Sequence, residues 1–282
     1  MAGLSSKNIK TRIQSMESTK QITRAMEMVA AAKLRQAQNQ AVSSRPYFEI
    51  LYGTINEIAR STRDRSSPYM RKRQNGSVLF VVIAGDRGLA GGYNNNVIKL
   101  CLQQMDGKRA AVLPVGRKAL DFFRSHGIPR HTEFYSDVSE VGVSECFTMA
   151  KDITKAFGTG IYSEVHIVYT HFASVLSQSP TALKLLPLEP VEDPLTPIRV
   201  DTVYEPSIEE VFSAIIPEYL GGILYGAICE SRCSEHAARR TAMDSATQNA
   251  EDMISHLKLK YNRARQWAIT QEITEIVAGS NT

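Results

Sequence analysis

The chain has 282 residues, of which 22% are charged and 43% hydrophobic, and its formal net charge is +4. These values are typical of a soluble protein. The longest near-apolar run, Ser213 to Cys229, is interrupted by Pro217 and Glu218 and is shorter than the roughly 18 residues of a membrane span. Because no apolar signal-peptide core is present at the N-terminus, we expect the chain to stay in the compartment where it is made.

The positive charge is concentrated towards the N-terminus. Residues 1–75 hold 14 Lys and Arg against 5 Asp and Glu, whereas residues 207–282 hold 7 against 10. Antiparallel pairing of the two ends would neutralise part of this excess. A nucleic acid is the competing partner. The basic residues are not interleaved with aromatic side chains, so the sequence favours pairing and no nucleic acid.

The four cysteines are too few and too scattered for a disulfide framework. Cys229, Cys233 and His236 would share one helix face, which is the spacing of a possible metal site. No fourth ligand accompanies them. The favoured interpretation is a stripe of small or polar residues, and no metal is predicted.

The first predicted element is a coiled-coil helix over residues 1–60. From Ser5 to Arg60 the chain holds one proline, Pro46, and one glycine. An apolar stripe with steps of three and four follows Ile9, Ile13, Met16, Thr19 or Lys20, Thr23, Met26, Ala30, Lys33 or Leu34, and Ala37. Pro46 is expected to kink the helix or restart it. Residues 61–76 are charged and lack periodicity, which predicts a linker.

Residues 77–206 are predicted to form a doubly wound, Rossmann-like α/β domain. Strands are predicted at Val78 to Ala84, Ala110 to Val115 and Glu164 to Thr170, and they alternate with helices at Asn95 to Met105, Arg117 to His126 and Ser144 to Phe157. Continuous apolar strands of this kind are typical of a buried parallel sheet. Five prolines between Pro187 and Pro206 predict a boundary or an extended edge.

A glycine-rich segment, Gly85 to Gly92, follows the first strand. Such a turn can hold phosphate at a helix N-terminus, but the spacing matches neither G-x-G-x-x-G nor a P-loop. A tight structural turn is favoured, with Asp86 and Arg87 as an ion pair or loop brace. The histidines form no motif either. We therefore predict no catalytic residue, although a nucleotide-binding α/β enzyme remains an alternative.

Residues 207–282 are predicted to form a second coiled-coil helix, beginning with a capping box at Ser207 and Glu210. From Ala227 to Ala278 there is neither proline nor glycine. An unbroken helix there would be roughly 78 Å long, too long for a compact domain. A heptad seam is predicted at Met243, Ala246, Ala250, Met253, Leu257, Ala264, Trp267 and Gln271. Because alanines bury little area, we expect a partner to support the coiled coil.

The C-terminal end carries an apolar stripe of its own, at Ile269, Ile273 and Ile276. The C-terminal helix is predicted to exceed its antiparallel partner by about 16 residues, or roughly 24 Å. An unpaired apolar end of this kind is either disordered or inserted into another protein.

Four segments, in order along the chain, resemble the gamma subunit of F-type ATP synthases: Ile9 to Ala37, Val81 to Asn96 (VVIAGDRGLAGGYNNN), Ser234 to Thr247 and Tyr261 to Gly279. The pattern I-T-x-E-x-x-E-I near the C-terminus is specific. Residues 181–207 lack the cysteine pair of the chloroplast type, so the resemblance is to the bacterial type without thiol control.

The resemblance implies a central rotor stalk that transmits torque from a membrane c ring, driven by proton flow, to catalytic beta subunits. It implies one gamma per complex, with three alpha and three beta subunits, an epsilon subunit and the c ring as partners. The chain would have no active site and no cofactor. It would lie at the cytoplasmic face of the bacterial plasma membrane as a peripheral protein.

The resemblance also implies contact residues at matching positions. Met26, Arg239 and Gln271 would contact the alpha/beta ring, as would the end formed by Ile269, Ile273 and Ile276. Glu205 would lie at the foot, near the c ring and epsilon. From the residues alone, Met26 could equally be ordinary coiled-coil core. Gln271, polar in an apolar seam, should bond to a partner.

Overall fold

The computed structural model describes residues 6–61, 67–73, 76–135, 137–188, 205 and 207–280. Its elements, in chain order, are α1 (Ser6–Ser61), β1 (Ser77–Ile83), α2 (Tyr93–Met105), β2 (Ala110–Val115), α3 (Arg117–Ser125), α4 (Val143–Gly158), β3 (Tyr162–Phe172), β4 (Gln178–Leu186) and α5 (Ile208–Ser280). None of the helices described here has the length and apolar character needed to cross a membrane.

The chain divides into two compact units, and both long helices contribute to each of them. The helical unit comprises Met1–Ala31 and Arg239–Thr282, and the central unit comprises Ala32–Ala238. The division predicted from the sequence instead follows the ends of elements, at residues 60, 76 and 206, and stays a prediction.

The central unit contains a four-stranded sheet of order β2-β1-β3-β4. β1 is parallel to both β2 and β3, as predicted, while β4 is antiparallel to β3. β4 is not predicted from the sequence. The strand is only partly buried and contains Pro180, so it shows no apolar run, and proline is tolerated in a strand at a sheet edge.

Helices cover both faces of the sheet, which confirms the doubly wound prediction. Leu79, Val81 and Ile83 of β1 pack in one core cluster with α4 and the first turns of α5. Phe80 and Val82 point to the opposite face, towards α2 and α3. This alternation follows from the two-residue period of a strand. On the first face α4 and α5 approach closely, since a Cβ on Gly221 would lie 2.4 Å from Phe147 Cδ1.

The N-terminus of α5 and the continuity of both long helices agree largely with the sequence prediction. The Glu210 N–H donates to Ser207 Oγ at 3.2 Å, which is the N-cap bond of the predicted capping box. Pro46 lies inside α1 and Pro217 inside α5. The helix therefore does not restart at Pro46, contrary to one of the two expectations.

In the predicted linker, Ser61 ends α1, whereas residues 67–73 are not helical and pack inside the central unit. Ser67 and Met70 are buried, and Leu188 N–H donates to Tyr69 O at 2.8 Å. Arg73 Nη1 donates to Phe157 O at 2.5 Å.

In the helical unit α1 and α5 run antiparallel. Lys20 Nζ lies 2.7 Å from Glu251 Oε1, and Thr247 Oγ1 donates to Thr23 Oγ1 at 2.7 Å. Lys258 Nζ lies 3.9 Å from Glu17 Oε1. The α5 residue number rises as the α1 number falls, which is the register of an antiparallel coiled coil.

The α1 stripe is confirmed, with Lys20 and Leu34 as the inward members of its two uncertain steps. The α5 seam needs correction. Met253 and Trp267 are 50% and 70% exposed, and Gln271 is exposed. The buried and half-buried stripe instead follows Met243, Thr247, Ala250, Ile254, Leu257, Tyr261 and Ala264. Its steps alternate regularly between four and three, so the inward face passes through Ile254 rather than its apolar neighbour Met253, and through Tyr261 beside Lys260.

Candidate coupling surfaces

Two buried serines of α5 bond to the backbone of β3. Thr170 N–H donates to Ser231 Oγ at 3.3 Å, and Ser234 Oγ donates to Thr170 O at 3.2 Å. The pairing of β1 with β3 is registered as far as Val168, so Thr170 lies beyond its end. The hydroxyls therefore satisfy backbone groups that would otherwise be buried without a partner.

Two charged side chains of the same helical turn add further bonds. The Arg232 guanidinium donates through Nη2 to Val138 O and, at 2.8 Å, to Val141 O. Glu230 Oε2 lies 2.7 Å from His171 Nδ1. We call Glu230, Ser231, Arg232 and Ser234 the polar clamp. It joins α5 to β3 and to the segment 138–141.

The segment held by Arg232 is also held by Asp86. The N–H groups of Arg117 and Val138 donate to Asp86 Oδ1 at 3.1 and 2.9 Å, and Ser139 N–H donates to Oδ2 at 3.3 Å. Burial raises the pKa of Asp86, and the Val138 N–H opposes this. The predicted loop brace is confirmed, but its partners are backbone groups rather than Arg87.

The glycine-rich segment is closed by hydrogen bonds to Asn94 in the first turn of α2. Gly85 N–H donates to Asn94 Oδ1 at 2.8 Å, and Asn94 Nδ2 donates to Arg87 O at 3.2 Å. Next to it, Gly116 has φ +95°, and a Cβ there would lie 2.0 Å from Ala84 O. These contacts support the interpretation as a tight structural turn.

The cysteines are buried thiols. All four are free, and burial raises the pKa of Cys233 to about 12. Within the described ranges, no three His, Cys, Asp or Glu side chains converge on a possible metal position. Cys229, Cys233 and His236 thus share a helix without forming such a group.

The predicted contact residues are spread along the chain and do not form one cluster. Met26 and Arg239 are half-buried, and Glu205 is exposed. Gln271 is exposed, and its Nε2 donates to Glu275 Oε1 at 2.9 Å. It therefore bonds within its own helix, and the idea that it lies in an apolar seam is wrong.

The C-terminal end of α5 extends beyond the described part of α1. Continued from Lys20 and Glu251, the antiparallel register brings Ser6 opposite Arg265. Residues 266–280 then extend about 22 Å further at the rise of an α-helix. Ile269, Ile273 and Ile276 are 46%, 56% and 71% exposed there.

Sequence reasoning missed the polar clamp. A signal was present, because Ser231, Arg232 and Ser234 directly follow an apolar helix segment that ends at Cys229. Polar residues on a buried face normally need hydrogen-bond partners. The sequence alone could not show that Thr170 and Val138 provide them.

The comparisons with known proteins agree along the whole chain. A family model described as ATP synthase matches residues 5–282. The ATP synthase gamma chain of Ruminococcus albus is 44% identical over 279 residues, which cover 97% of each chain. That of Alkaliphilus metalliredigens is 43% identical and covers 99% of this chain and 98% of the relative. The chain belongs to the ATP synthase gamma chain family.

Solved structures show the same fold. A chain of the Euglena gracilis mitochondrial ATP synthase (OSCP/F1/c-ring) has a TM-score of 0.67 at 20% identity and covers 98% of this chain and 93% of its own. A chain of the Tetrahymena thermophila central stalk and c-ring has a TM-score of 0.57 at 22% identity, with 80% and 99% covered. A gamma chain is a non-catalytic subunit of ATP synthase, so the nucleotide-binding enzyme and the nucleic-acid-binding protein are not supported.

Proposed function

We propose that this gamma chain is the rotating shaft of a bacterial F-type ATP synthase, carrying torque from a c ring to catalytic beta subunits. One copy would stand in a ring of three alpha and three beta subunits, with epsilon and the c ring at its foot. The complex would lie at the cytoplasmic face of the plasma membrane. The observation that carries the proposal is the antiparallel pair of long helices with an exposed apolar end.

The seam of the helical unit explains why a surrounding ring is needed. Ala30 and Ala250 are buried in it, and Lys20, Thr23 and Thr247 take positions where leucine would be usual in a coiled coil. Small and polar seam residues bury little apolar area, and the stabilisation scales with that area. A partner that covers the outer faces would supply the missing support.

We propose that the exposed C-terminal end of α5 turns in a bearing, meaning an apolar socket formed by the alpha/beta ring. Ile269, Ile273 and Ile276 recur at steps of four and three, so they form one apolar stripe on α5. We assign this stripe, together with Gln271 between Ile269 and Ile273, to the upper part of the ring, and Met26 and Arg239 to contacts lower down. Glu205 is assigned to the foot.

The polar clamp offers a route by which force passes from the sheet of the central unit to α5. Torque that reaches the sheet of the central unit would pass through Thr170 and Val138 to α5. Since α5 is assigned as one helix from Ile208 to Ser280, the same element carries the apolar stripe. The proposal does not depend on the coupling ion. A relative in Acetobacterium woodii, 41% identical with 97% of each chain covered, is named sodium ion specific.

Single-molecule rotation tests the proposal. Leu176, in the turn between β3 and β4, is 89% exposed and offers a site for a Leu176→Cys label. In a complex reconstituted with alpha and beta subunits and fixed through the ring, a bead on this cysteine should rotate when ATP is added. A bead that stays fixed while the complex hydrolyses ATP, or ATP hydrolysis by the isolated chain, would overturn the proposal.

A second reconstitution tests the bearing. Ile269, Ile273 and Ile276 are changed together to serine, with Leu259→Ser, at an exposed site on the same helix, as the matched control. The triple variant should assemble poorly or couple hydrolysis to ion pumping less efficiently. Equal assembly and coupling in both variants would show that the stripe is not a bearing.

A further inference from the structure

A cavity in the central unit lies between α1, the β3–β4 pair and α5. It has a volume of about 790 Å³, is partly open to solvent, and is lined by apolar and aromatic side chains that include Val42, Leu51, Tyr169, Phe172, Tyr219 and Ile223. Cavities that bind small organic molecules occupy about 300–1,000 Å³ and have mostly apolar walls with a few polar groups. This one has the size and the composition of such a site.

Several residues that line the cavity have small side chains, which leave space that larger side chains would occupy. Ala41, Ala173, Gly222, Gly226 and Ala227 all contribute to its walls. These small residues come from α1, from the turn between β3 and β4, and from α5, so three separate parts of the chain contribute to the space.

The charges on the described part of the walls are of one sign. Among the described residues that line the cavity, Glu230 is the acidic side chain, its Oε2 lies 2.7 Å from His171 Nδ1, and there is no lysine or arginine. The nearby Arg232 guanidinium is directed to the carbonyls of Val138 and Val141.

Burial is the main influence on the pKa values of the titratable wall residues. Burial raises the pKa of Tyr169 to about 12, and the negative charge of Glu230 adds to the effect. The pKa of Cys233 is also raised to about 12 by burial first, with contributions from Cys229 and Glu230. Both shifts therefore indicate walls that are shielded from water, with the Glu230 carboxylate as a secondary contribution.

We propose that this cavity binds small apolar organic cations, in the class of lipophilic ammonium and phosphonium ions. Tyr169, Phe172 and Tyr219 line the cavity, and the face of an aromatic ring attracts a cation. The Glu230 carboxylate supplies the opposite charge, and the aliphatic walls receive the apolar substituents. The proposal is independent of the rotor function, because binding is measured on the chain itself.

Two probe ions of matched shape and opposite charge test the proposal. Tetraphenylphosphonium and tetraphenylborate are titrated into the full-length chain by equilibrium dialysis. The cation should bind saturably at one site and the anion at least about tenfold more weakly. Glu230→Gln should weaken cation binding by about tenfold, since it removes the charge while keeping a hydrogen-bonding oxygen.

A second pair of variants separates cavity binding from surface adsorption. Ala173 lines the cavity and is exposed, so Ala173→Leu adds volume at the mouth without entering the core. It should reduce cation binding, whereas Leu176→Ala, in the same turn but outside the lining, should leave it unchanged. Equal binding of both ions, the absence of a saturable site, or cation binding that Ala173→Leu leaves intact would overturn the proposal.

Discussion

Ser234 on α5 donates its buried hydroxyl to the backbone carbonyl of Thr170 on β3, with an Oγ–O distance of 3.2 Å. The contact joins two elements whose residues lie 64 positions apart in the chain. A bond to the backbone depends on where the strand lies rather than on the side chain at position 170. It therefore fixes the position of α5 against the sheet, as a helix that receives force from a sheet requires.

The first prediction concerns the two serines of the polar clamp. Ser231→Ala and Ser234→Ala should each lower the free energy of unfolding by about 1–2 kcal/mol, because each leaves a buried backbone group of Thr170 without its partner. Urea denaturation of the full chain measures the change. The control is Ser255→Ala, whose exposed hydroxyl bonds only within the helix, to Glu251 O. Losses no larger than that of the control would contradict the assignment.

The second prediction concerns the side chain of Thr170 itself. Its Oγ1 is buried and has no hydrogen-bond partner. Thr170→Val replaces this hydroxyl by a methyl group of the same shape and keeps both backbone bonds to the serines. The free energy of unfolding should rise by about 1 kcal/mol, since an unsatisfied buried polar atom is removed. A decrease in the same urea experiment would show that the hydroxyl has a partner that matters.

Much of the fold could be predicted because local pattern and tertiary environment agree. The apolar run Val78 to Ala84 gave β1, and the absence of helix breakers after Ala227 gave α5. β4 could not be predicted in this way, because its exposed residues and Pro180 interrupt the apolar pattern that identifies a strand. The α5 seam failed for another reason, since Met253 and Ile254 are both apolar and only the partner helix decides which points inwards.

The candidate site was less accessible to sequence reasoning. The exposed stripe at Ile269, Ile273 and Ile276 is a local pattern, and it was found. The polar clamp depends on which carbonyl lies opposite Arg232 and which strand ends beside Ser231. Those distances are set by the packing of α5 on the sheet, and no spacing in the sequence encodes them directly.

The third prediction concerns His166, which is half-buried on β3. Its ring stacks on Phe80 with centroids 5.2 Å apart, and its Nε2 lies 2.9 Å from Glu164 Oε2. Burial lowers the pKa of His166, and the neighbouring Glu164 only partly opposes this. As pH falls through the ordinary value of 6.5, the unfolded chain takes up a proton that the folded chain does not.

The contribution of His166 to stability should therefore decline between about pH 7.5 and about pH 5.5. His166→Gln removes the titrating group. As the pH is lowered over this interval, the free energy of unfolding of the variant should therefore fall less steeply than that of the unsubstituted chain. Urea denaturation of both proteins at a series of pH values makes the comparison, with pH 8 as the baseline. Parallel curves would show that His166 titrates alike in both states.

The fourth prediction concerns Arg232 and tests the coupling role of the polar clamp. Arg232→Met keeps the aliphatic stem but removes the donor to Val138 O and Val141 O, so the segment 138–141 loses its link to α5. The free energy of unfolding should fall by about 2 kcal/mol, the cost of losing bonds from a charged donor. The amides of residues 138–141 should exchange hydrogen faster, and ATP-driven ion pumping should fall relative to ATP hydrolysis in a reconstituted synthase.

Arg263→Met is the matched control for this prediction, because Arg263 is exposed on the same helix. It should leave exchange at residues 138–141 and the ratio of pumping to hydrolysis unchanged. Arg232→Lys separates charge from geometry. A single ammonium lacks the planar guanidinium's reach to two carbonyls, so lysine should restore only part of the stability and of the coupling. Faster exchange without any loss of coupling would show that Arg232 does not transmit force and that the other contacts between α5 and the sheet are sufficient.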